Sequence, residues 1–442
     1  MHQEPHHESL PAEAGTHKEL STFSGNNAHV PVVPPEQAAH RFDFLTLSIA
    51  SGTSYFVYWI IQLGLSLFAS RITRSPVLVS GITFALSVPW LVCGLFAGAL
   101  VDRYNRQHIL LASTLLRLVI LGIATFVATF GSVSLPLLYV LALVLGITQT
   151  LENPALSAAV PMVVAGAQLE RANTWLAGTQ NVIELLASPL GGVIASVGAA
   201  LTLGVGAGCT MAGLVALHFL HGTRSTFHSR DTRKRHIVGE VLDGIRFMWS
   251  QQTLGVIGLM AAVINACWGA YIGLLVLYIV APGPVGLTAS GYGVLLTSIG
   301  IGGVIGTFLT LPVQRWLGRR WAIGLNIVGN ALMFAAPALS TNSWIIGGAA
   351  FLGGIGGPMW NIAAAALQGR IVPINLQGRV NSAYRFLGIG SAAIGPILGG
   401  FCAQLFGLRV VFAMCAFLTI FMLIPFLLVI TEDVMKHTSE AG

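Results

Sequence analysis

The chain consists largely of uninterrupted apolar stretches, each about 20 residues or longer, and this feature constrains its fold most. Such a stretch can cross a hydrocarbon core of about 30 Å as a helix. Hydrophobic residues make up 55% of the 442 residues and charged residues 9%, whereas about a quarter of a soluble protein is charged. The stretches do not alternate between apolar and polar residues as barrel strands do. Because backbone polar groups in lipid need internal partners, we predict an all-α membrane protein.

Twelve such stretches can be counted, six before and six after a polar linker. The first six occupy 43–70, 76–101, 108–131, 135–162, 172–197 and 198–220. The second six occupy 253–281, 290–312, 321–339, 343–369, 380–407 and 408–430. They predict an N-terminal six-helix bundle over 41–220 and a C-terminal six-helix bundle over 253–431.

Polar segments flank and join the two predicted bundles. Residues 1–40 show no apolar period and predict a disordered cytoplasmic tail; an idle tail is favoured over weak metal binding by its histidines. The linker, 221–252, contains "IVGEVLDGIRFMW", whose apolar residues recur at helical spacing. This pattern predicts a short amphipathic helix at the membrane surface. Residues 432–442 predict a second cytoplasmic tail.

The distribution of Lys and Arg predicts the orientation of the chain. With both termini and the even-numbered connections in the cytoplasm, 17 of the 22 Lys and Arg lie inside. Arg71, Arg74 and Arg409 then lie outside, and Arg117 and Arg385 lie within spans. Topology thus explains the net charge of +6 without nucleic-acid binding. We expect a multi-pass protein of the cell membrane.

The two halves of the chain repeat each other. "NPALSAAVPMVVAGAQLERANTWLAGTQNVIELLASPLGG" resembles "NIAAAALQGRIVPINLQGRVNSAYRFLGIGSAAIGPILGG". At an offset of 208, the copies align Asn153 with Asn361, Asn173 with Asn381, and Gly191 and Gly192 with Gly399 and Gly400. Two six-helix halves in one orientation are typical of transporters with parallel repeats and a central site between them.

A charged motif, "GALVDRYNRQ", interrupts this apolar chain between spans two and three. It resembles the loop motif G-x-x-x-D-R-x-G-R-R of the major facilitator superfamily. The matching residues are Gly98, Asp102, Arg103 and Arg106. The corresponding stretch of the second half, "LPVQRWLGRR", is degenerate, because a basic residue stands where the Asp would be. Its basic residues are Arg315, Arg319 and Arg320.

The region 41–431 resembles this superfamily as a whole. "NPALSAAVP", "ERANTW" and "SPLGG" are similar to its branch of enterobactin exporters and macrolide efflux proteins. The resemblance implies the major facilitator fold, with two bundles related by a pseudo-twofold axis. It also implies alternating access to a central cavity.

We interpret the charged motif as a conformational latch. Asp102 could face the positive N-terminal end of span eleven, near 378–381, when the bundles close on the cytoplasmic side. Such a contact would stabilise the outward-open state. Arg315 cannot repeat this role, but it could meet Glu170 at the start of span five.

Few carboxylates are available to carry a proton. No Asp or Glu occurs between Asp243 and Glu432, so the second bundle has none. In the first bundle, Glu184 and Glu152 lie well inside spans and are the candidates for proton coupling. Glu184 lies twelve residues into span five, about 18 Å deep, where ionising a carboxylate is costly. The alternative is a Glu184 that stays neutral or is paired for structure.

Two arginines within spans could compensate buried charges. Arg117 of span three and Glu152 of span four lie in neighbouring spans, and we favour a structural pair between them over a coupling site. Arg385, early in span eleven, could attract an anionic group of a substrate or a carboxylate of the other bundle. It could equally extend to the interface.

The resemblance implies a cavity lined by spans one, four, seven and ten. Aromatic and amide side chains on these spans suit bulky amphipathic compounds, although each could instead pack between helices or face lipid. The candidates are Tyr55, Tyr58, Trp59, Gln62, Asn265, Trp268, Tyr271, Trp360 and Asn361.

These features predict a secondary active transporter that exports small amphipathic molecules, such as drugs or a siderophore, in exchange for protons. The chain has no Walker motif and no cluster of metal-ligating residues, so we expect no enzyme activity and no cofactor. The expected partners are a small-molecule substrate, protons and the lipid bilayer, with no nucleic acid, and we expect a monomer. The alternatives are an importer or facilitator on the same fold, or a membrane receptor or scaffold.

The predicted orientation can be tested with reporter fusions. Green fluorescent protein fused after residue 221 or at the C-terminus should fluoresce, and alkaline phosphatase at the same points should be inactive. Fusions after Ser134 or Ser340, in odd-numbered connections, should behave in the opposite way. Active phosphatase at the linker would contradict the predicted orientation.

Overall fold

The structure is a computed structural model of the whole chain. It describes residues 35–94, 97, 100–101, 104–164, 168–219, 237–373 and 376–430. Of the segments predicted from the sequence, residues 1–34 and 431–442, and much of the linker between the bundles, lie outside the described residues.

Fourteen helices account for nearly all of the described residues, which contain no β-strand. The first half contains α1 Pro35–Ile72, α2 Pro76–Val92, α3 Arg106–Phe130, α4 Leu135–Val163, α5 Leu169–Val197 and α6 Ala199–His218. The second half contains α7 Ile237–Ser250, α8 Gln252–Ile279, α9 Ala289–Trp316, α10 Gly318–Leu339, α11 Ser343–Ile371, α12 Gln377–Phe406, α13 Leu408–Phe421 and α14 Leu423–Val429.

Twelve of these segments correspond to the predicted spans. Eleven are long and apolar enough to cross a membrane, with α13 and α14 together forming one, and α2 is a shorter apolar helix. The all-α prediction is therefore confirmed. The remaining helix, α7, is the short helix that the linker pattern predicted.

Two prolines change the predicted boundaries. The helix α1 begins at Pro35, whose fixed backbone angle suits the first turn of a helix. Residues 35–40 are therefore helical, and the prediction that they belong to a disordered tail is wrong. Span twelve is not one helix, because it turns at Met422 between α13 and α14. Pro425 has no backbone N–H to donate to the carbonyl of Phe421, which weakens a continuous helix there.

The two halves pack in the same internal pattern. In the first half, α1 packs on α5 and α6, and α3 packs on α4 and α6. In the second half, the corresponding helices repeat these contacts: α8 packs on α12, and α10 packs on α11 and α13. The pairs α2–α4 and α9–α11 are related in the same way. The sequence repeat therefore corresponds to a repeat in packing.

Close backbone contacts join the halves at two crossings. At the first, α5 meets α9, and a Cβ built on Gly192 would lie 2.8 Å from the carbonyl oxygen of Ala289. At the second, α12 meets α2, and a Cβ built on Gly400 would lie 3.0 Å from Cα of Val77. Gly192 and Gly400 are the residues that the sequence repeat aligns. Each crossing thus requires a residue without a side chain.

The described contacts between the halves lie away from the linker. We call the side that carries the α6–α7 connection the linker side, and the other the opposite side. On the opposite side, the guanidinium of Arg74 donates to the carbonyl of Ala281 at 3.1 Å. The hydroxyl of Ser75 also lies 3.2 Å from the side-chain oxygen of Gln404. By contrast, α4 and α11, which approach the linker side, are not among the helix pairs with substantial contacts. The described contacts that join the bundles thus include a group on the opposite side, where Arg74 and Ser75 bond to the second half.

The α5–α9 crossing should control which side is open. A Cβ built on Gly293 would lie 2.5 Å from the carbonyl oxygen of Ser188, so Gly293→Ala should push the two helices apart. Overpacking costs about 1–3 kcal/mol, and only the state closed on the opposite side bears that cost. Spin-label distances across the opposite side should therefore lengthen.

The same helix offers a matched control for this substitution. A Cβ built on Gly303 would approach no neighbouring atom closer than 3.9 Å. Gly303→Ala should leave the spin-label distances unchanged. Unchanged distances in Gly293→Ala would show that this crossing does not set the conformation.

Candidate functional site

One face of α1 carries four of the predicted cavity residues. Tyr55, Tyr58, Trp59 and Gln62 follow the spacing that places side chains on one side of a helix, and all four are half-buried. The rings of Tyr58 and Trp59 meet edge to face, with centroids 5.9 Å apart. The indole nitrogen of Trp59 and the side-chain oxygen of Gln62 are buried without a hydrogen-bond partner among the described residues. This face can therefore offer a donor and an acceptor to a ligand.

Glu184 lies on α5 next to this face. Its carboxylate acts electrostatically on the phenol groups of Tyr55 and Tyr58, and its side chain is half-buried. Within the described residues, no ion pair or hydrogen bond engages its carboxylate. The next residue, Leu185, lies under α9, where a Cβ built on Gly300 would be 3.0 Å from its Cδ1. Glu184 is thus an uncompensated carboxylate beside a contact between the two halves.

The structure divides the predicted residues of α8 between two environments. Asn265 and Trp268 are half-buried, and the amide nitrogen of Asn265 donates to the carbonyl of Ala261 at 2.7 Å. Tyr271 is 0% exposed. Its ring packs against Phe334 and Phe412 inside the second bundle, with centroids 5.4 and 5.8 Å away. The prediction that Tyr271 lines the cavity is therefore wrong in this conformation, because the residue belongs to an aromatic core.

The predicted residues of α11 and α12 also differ from one another. Trp360 is 8% exposed, and its indole nitrogen donates to the hydroxyl of Tyr384 at 3.0 Å, which joins α11 to α12. Trp360 is thus a core residue rather than part of an open wall, contrary to prediction. Asn361 and Arg385 are exposed, and no ion pair within the described residues includes Arg385. Both alternatives for Arg385 stay open.

A buried charge network lies inside the first bundle. Arg117 and Glu152 are 1% and 2% exposed, and a guanidinium nitrogen of Arg117 lies 2.6 Å from a carboxylate oxygen of Glu152. The network includes four further polar side chains, those of Ser54, Thr114, Thr148 and Gln149. The hydroxyl of Ser54 accepts from Arg117 and donates to Glu152, so it joins α1 to the pair formed by α3 and α4. Because each group has several partners, the network offsets part of the cost of burying the pair.

The described part of the charged motif packs locally. Gly98, Asp102 and Arg103 lie outside the described residues, so their latch role stays a prediction. Asn105 caps α3 by accepting a hydrogen bond from its first turn at 2.9 Å. Arg106 is buried, and its Nη1 lies 2.9 Å from the sulfur of Met162 near the linker-side end of α4.

The degenerate second copy of the motif is not paired as predicted in this conformation. Arg315 and Glu170 are both exposed, and no ion pair joins them. The side chain of Arg319 lies outside the described residues. A guanidinium nitrogen of Arg320 donates to the carbonyl of Leu427 at 3.1 Å, and the group lies over an aromatic ring of α14. Arg320 thus satisfies a carbonyl at the end of span twelve.

Sequence reasoning missed several residues of the site. The sequence around Ser54 and Thr148 gives no signal of this role, because a lone hydroxyl in an apolar run commonly bonds its own helix backbone. The charges on the neighbouring spans were the available signal, since a buried Arg–Glu pair needs further polar partners. Tyr384 gave no comparable signal, because its contact with Trp360 depends on how α11 and α12 are rotated.

Similar proteins point to one family. Residues 38–441 match the family described as transmembrane secretion effector. The multidrug efflux pump Tap of Mycolicibacterium fortuitum is 25% identical over 350 residues, which cover 75% of this chain and 82% of that protein. Macrolide efflux protein A of Streptococcus pyogenes is 22% identical over 157 residues, which cover 36% of this chain and 39% of that protein.

Solved transporter structures share the fold. The nucleoside transporter NupG has a TM-score of 0.69 at 12% identity, and the match covers 87% of this chain and 98% of that one. A bacterial homologue of the iron transporter ferroportin, in an inward-facing state, has a TM-score of 0.66 at 17% identity and covers 88% and 98%. The chain therefore belongs to the transmembrane secretion effector family of the major facilitator superfamily, and it is a multi-pass membrane transporter.

Proposed function

We propose that this transporter exports small amphipathic molecules from the cell in exchange for protons, by alternating access. The observation that carries the proposal is the uncompensated carboxylate of Glu184. It lies beside the half-buried tyrosines of α1 and next to Leu185, which contacts the second half. A carboxylate that gains and loses a proton there can respond both to substrate and to movement of the bundles.

The distribution of carboxylates supports this role for Glu184. The second bundle has no Asp or Glu, so a proton carried by a carboxylate must use the first bundle. Glu152 is held by Arg117 and by hydroxyl groups, so its protonation would leave a buried cation without its partner. Glu184 has no such restraint among its described neighbours and is free to change charge.

The contacts between the halves on the opposite side support the direction of transport, because a transporter closed there would open toward the linker side. With the predicted orientation, this side faces the cytoplasm, and the cavity would load from there. Closing the linker side and separating the two glycine crossings would release substrate outside. Proton binding to Glu184 from outside would then favour return to the loading state.

The character of the half-buried α1 face supports the substrate class. Aromatic rings on α1 offer flat apolar surface, and Trp59 and Gln62 add one donor and one acceptor. A bulky molecule with few polar groups fits such a wall better than a sugar or an ion does. Two of the similar proteins are named for multidrug and macrolide efflux, which agrees with this class. We propose a monomer that needs no cofactor besides the proton gradient and binds no nucleic acid.

The rival functions differ in measurable ways. An importer or facilitator on this fold would accumulate substrate in whole cells rather than remove it. A receptor or scaffold would need no carboxylate within the membrane, so changing Glu184 would leave its partner binding intact. A resistance and export screen in a strain without its own efflux pumps would provide the substrate for these tests.

Replacement of Glu184 by Gln should uncouple transport from protons. In inverted vesicles, the wild-type protein should accumulate substrate when the interior is acidic. Glu184→Gln should lose this pH-driven accumulation, because the amide cannot exchange a proton. It should retain exchange of labelled for unlabelled substrate, which needs no net proton movement.

The conservative variant Glu184→Asp serves as the control. It keeps a titratable group and should retain part of the pH-driven transport. Full pH-driven transport by Glu184→Gln would overturn the proposed coupling role.

Glu152 should behave as a structural residue instead. Glu152→Gln should lower thermal stability in detergent by an amount equivalent to about 3–5 kcal/mol, because it leaves the Arg117 charge buried without its anion. The double variant Arg117→Met with Glu152→Met should recover most of that loss. Normal stability in Glu152→Gln, together with loss of proton coupling, would assign the proton to Glu152.

A further inference from the structure

A groove lies on the linker side where α7 meets α8. Its volume is about 300 Å³, and its lining residues are Trp249, Ser250, Gln252, Gly255, Val256 and Leu259. The indole of Trp249 lies against bare backbone, because a Cβ built on Gly255 would be 3.4 Å from Cε3 of the ring. The groove is thus apolar along α8, and it has hydroxyl and amide groups where the two helices join.

The helix α7 has one face that the protein covers and one that it leaves exposed. Val241 and Met248 are buried, and a Cβ built on Gly244 would collide with the backbone of α12 at Arg379. An ion pair of 3.3 Å between Asp243 and Arg379 lies at the exposed edge of this contact. The amphipathic helix predicted at the membrane surface therefore uses part of its apolar face to hold α12.

The exposed face of α7 combines apolar groups with an exposed cation. Leu242, Arg246 and Trp249 are spaced at four and three residues and so lie on one side of the helix. Leu242 and Trp249 are 58% and 55% exposed, and Arg246 is exposed. No ion pair or hydrogen bond engages Arg246 within the described part of the chain. Trp249 belongs to both this face and the groove.

The sequence before α7 adds positive charge. Residues 223–236, "TRSTFHSRDTRKRH", contain five Lys or Arg and one Asp. Clusters of four to eight basic residues beside a membrane span attract anionic lipid headgroups, with about 1 kcal/mol from each residue near the surface. An apolar groove, an interfacial Trp and basic residues together match the parts of a phospholipid.

We propose that the α7–α8 groove is a binding site for an anionic phospholipid of the surrounding leaflet. One acyl chain would lie along Val256 and Leu259, the indole of Trp249 would lie at the level of the glycerol, and Arg246 would bind the phosphate. Since α7 also holds the start of α12, the bound lipid would strengthen the attachment of this helix to the second bundle. The proposal does not depend on the proton coupling of the transporter.

Tryptophan quenching by brominated lipid tests the site directly. The full chain is placed in nanodiscs of phosphatidylcholine that contain either brominated phosphatidylglycerol or brominated phosphatidylcholine. Brominated phosphatidylglycerol should quench the wild-type protein more strongly, and Trp249→Phe should remove this difference. Equal quenching of the wild-type protein by the two lipids would overturn the proposal.

A second exposed Trp on the same side provides a matched control. Trp316 is 89% exposed near the linker-side end of α9. Trp316→Phe should lower quenching by both brominated lipids but leave intact the part of the difference between them that Trp249→Phe removes. Loss of the difference in Trp316→Phe but not in Trp249→Phe would place the lipid elsewhere and overturn the proposal.

Two further variants separate the headgroup from the acyl chain. Arg246→Gln should reduce the preference for phosphatidylglycerol by about fivefold, and Arg246→Lys should retain it. Gly255→Leu should fill the groove and lower the difference in quenching, with Arg246 still present. Full preference in both Arg246→Gln and Gly255→Leu, in proteins with wild-type circular dichroism, would rule out this groove.

Discussion

The arrangement of the two halves depends on two places where helix backbones touch. Gly192 on α5 and Gly400 on α12 each lie against the first turn of a helix from the other half. Close backbone approach maximises van der Waals contact, which largely replaces the hydrophobic effect as the attraction between helices in lipid. At Gly192 the nearest atoms of α9 all belong to the backbone, so few side chains would have to separate at that point. Each crossing can therefore keep one side of the transporter closed in one state and come apart in the other. The proposed alternating access requires both.

The charges of the first bundle follow from the cost of burying them. Arg117 and Glu152 are together in the core, and hydroxyl groups of neighbouring helices accept or donate the remaining hydrogen bonds. Glu184 lies beside the contact between Leu185 and α9 and has no such partners in the described structure. Glutamate thus occurs once inside a network that joins three helices and once without such partners among the described residues. This contrast arises from the surroundings and not from depth in the membrane alone.

Much of the fold could be predicted from the sequence, because few backbone structures are stable within a lipid bilayer. Apolar length predicted the spans, and the 208-residue repeat aligned Gly192 with Gly400 before their contacts were visible. The Arg117–Glu152 pair was predictable, because two buried charges on neighbouring spans need each other. The rotation of each helix about its axis was not predictable. Tyr271 and Trp360 are of the residue types that line cavities, yet both are buried in the core of the second bundle. The spacing of residues along a helix cannot distinguish the face that packs inside the bundle from the face that lines the cavity when both faces are apolar.

The linker helix α7 contacts α12 and also forms one side of the proposed lipid site. Its glycine-lined contact with α12 is of the same kind as the two crossings, since Gly244 lies against backbone at Arg379. The helix α12 contacts α2 at its other end, so a change in how α7 holds its start would reach the crossing on the opposite side. A lipid in the α7–α8 groove would then act on the same rigid helix that the bundles use to meet. Such a lipid would affect the balance between open states without touching the cavity.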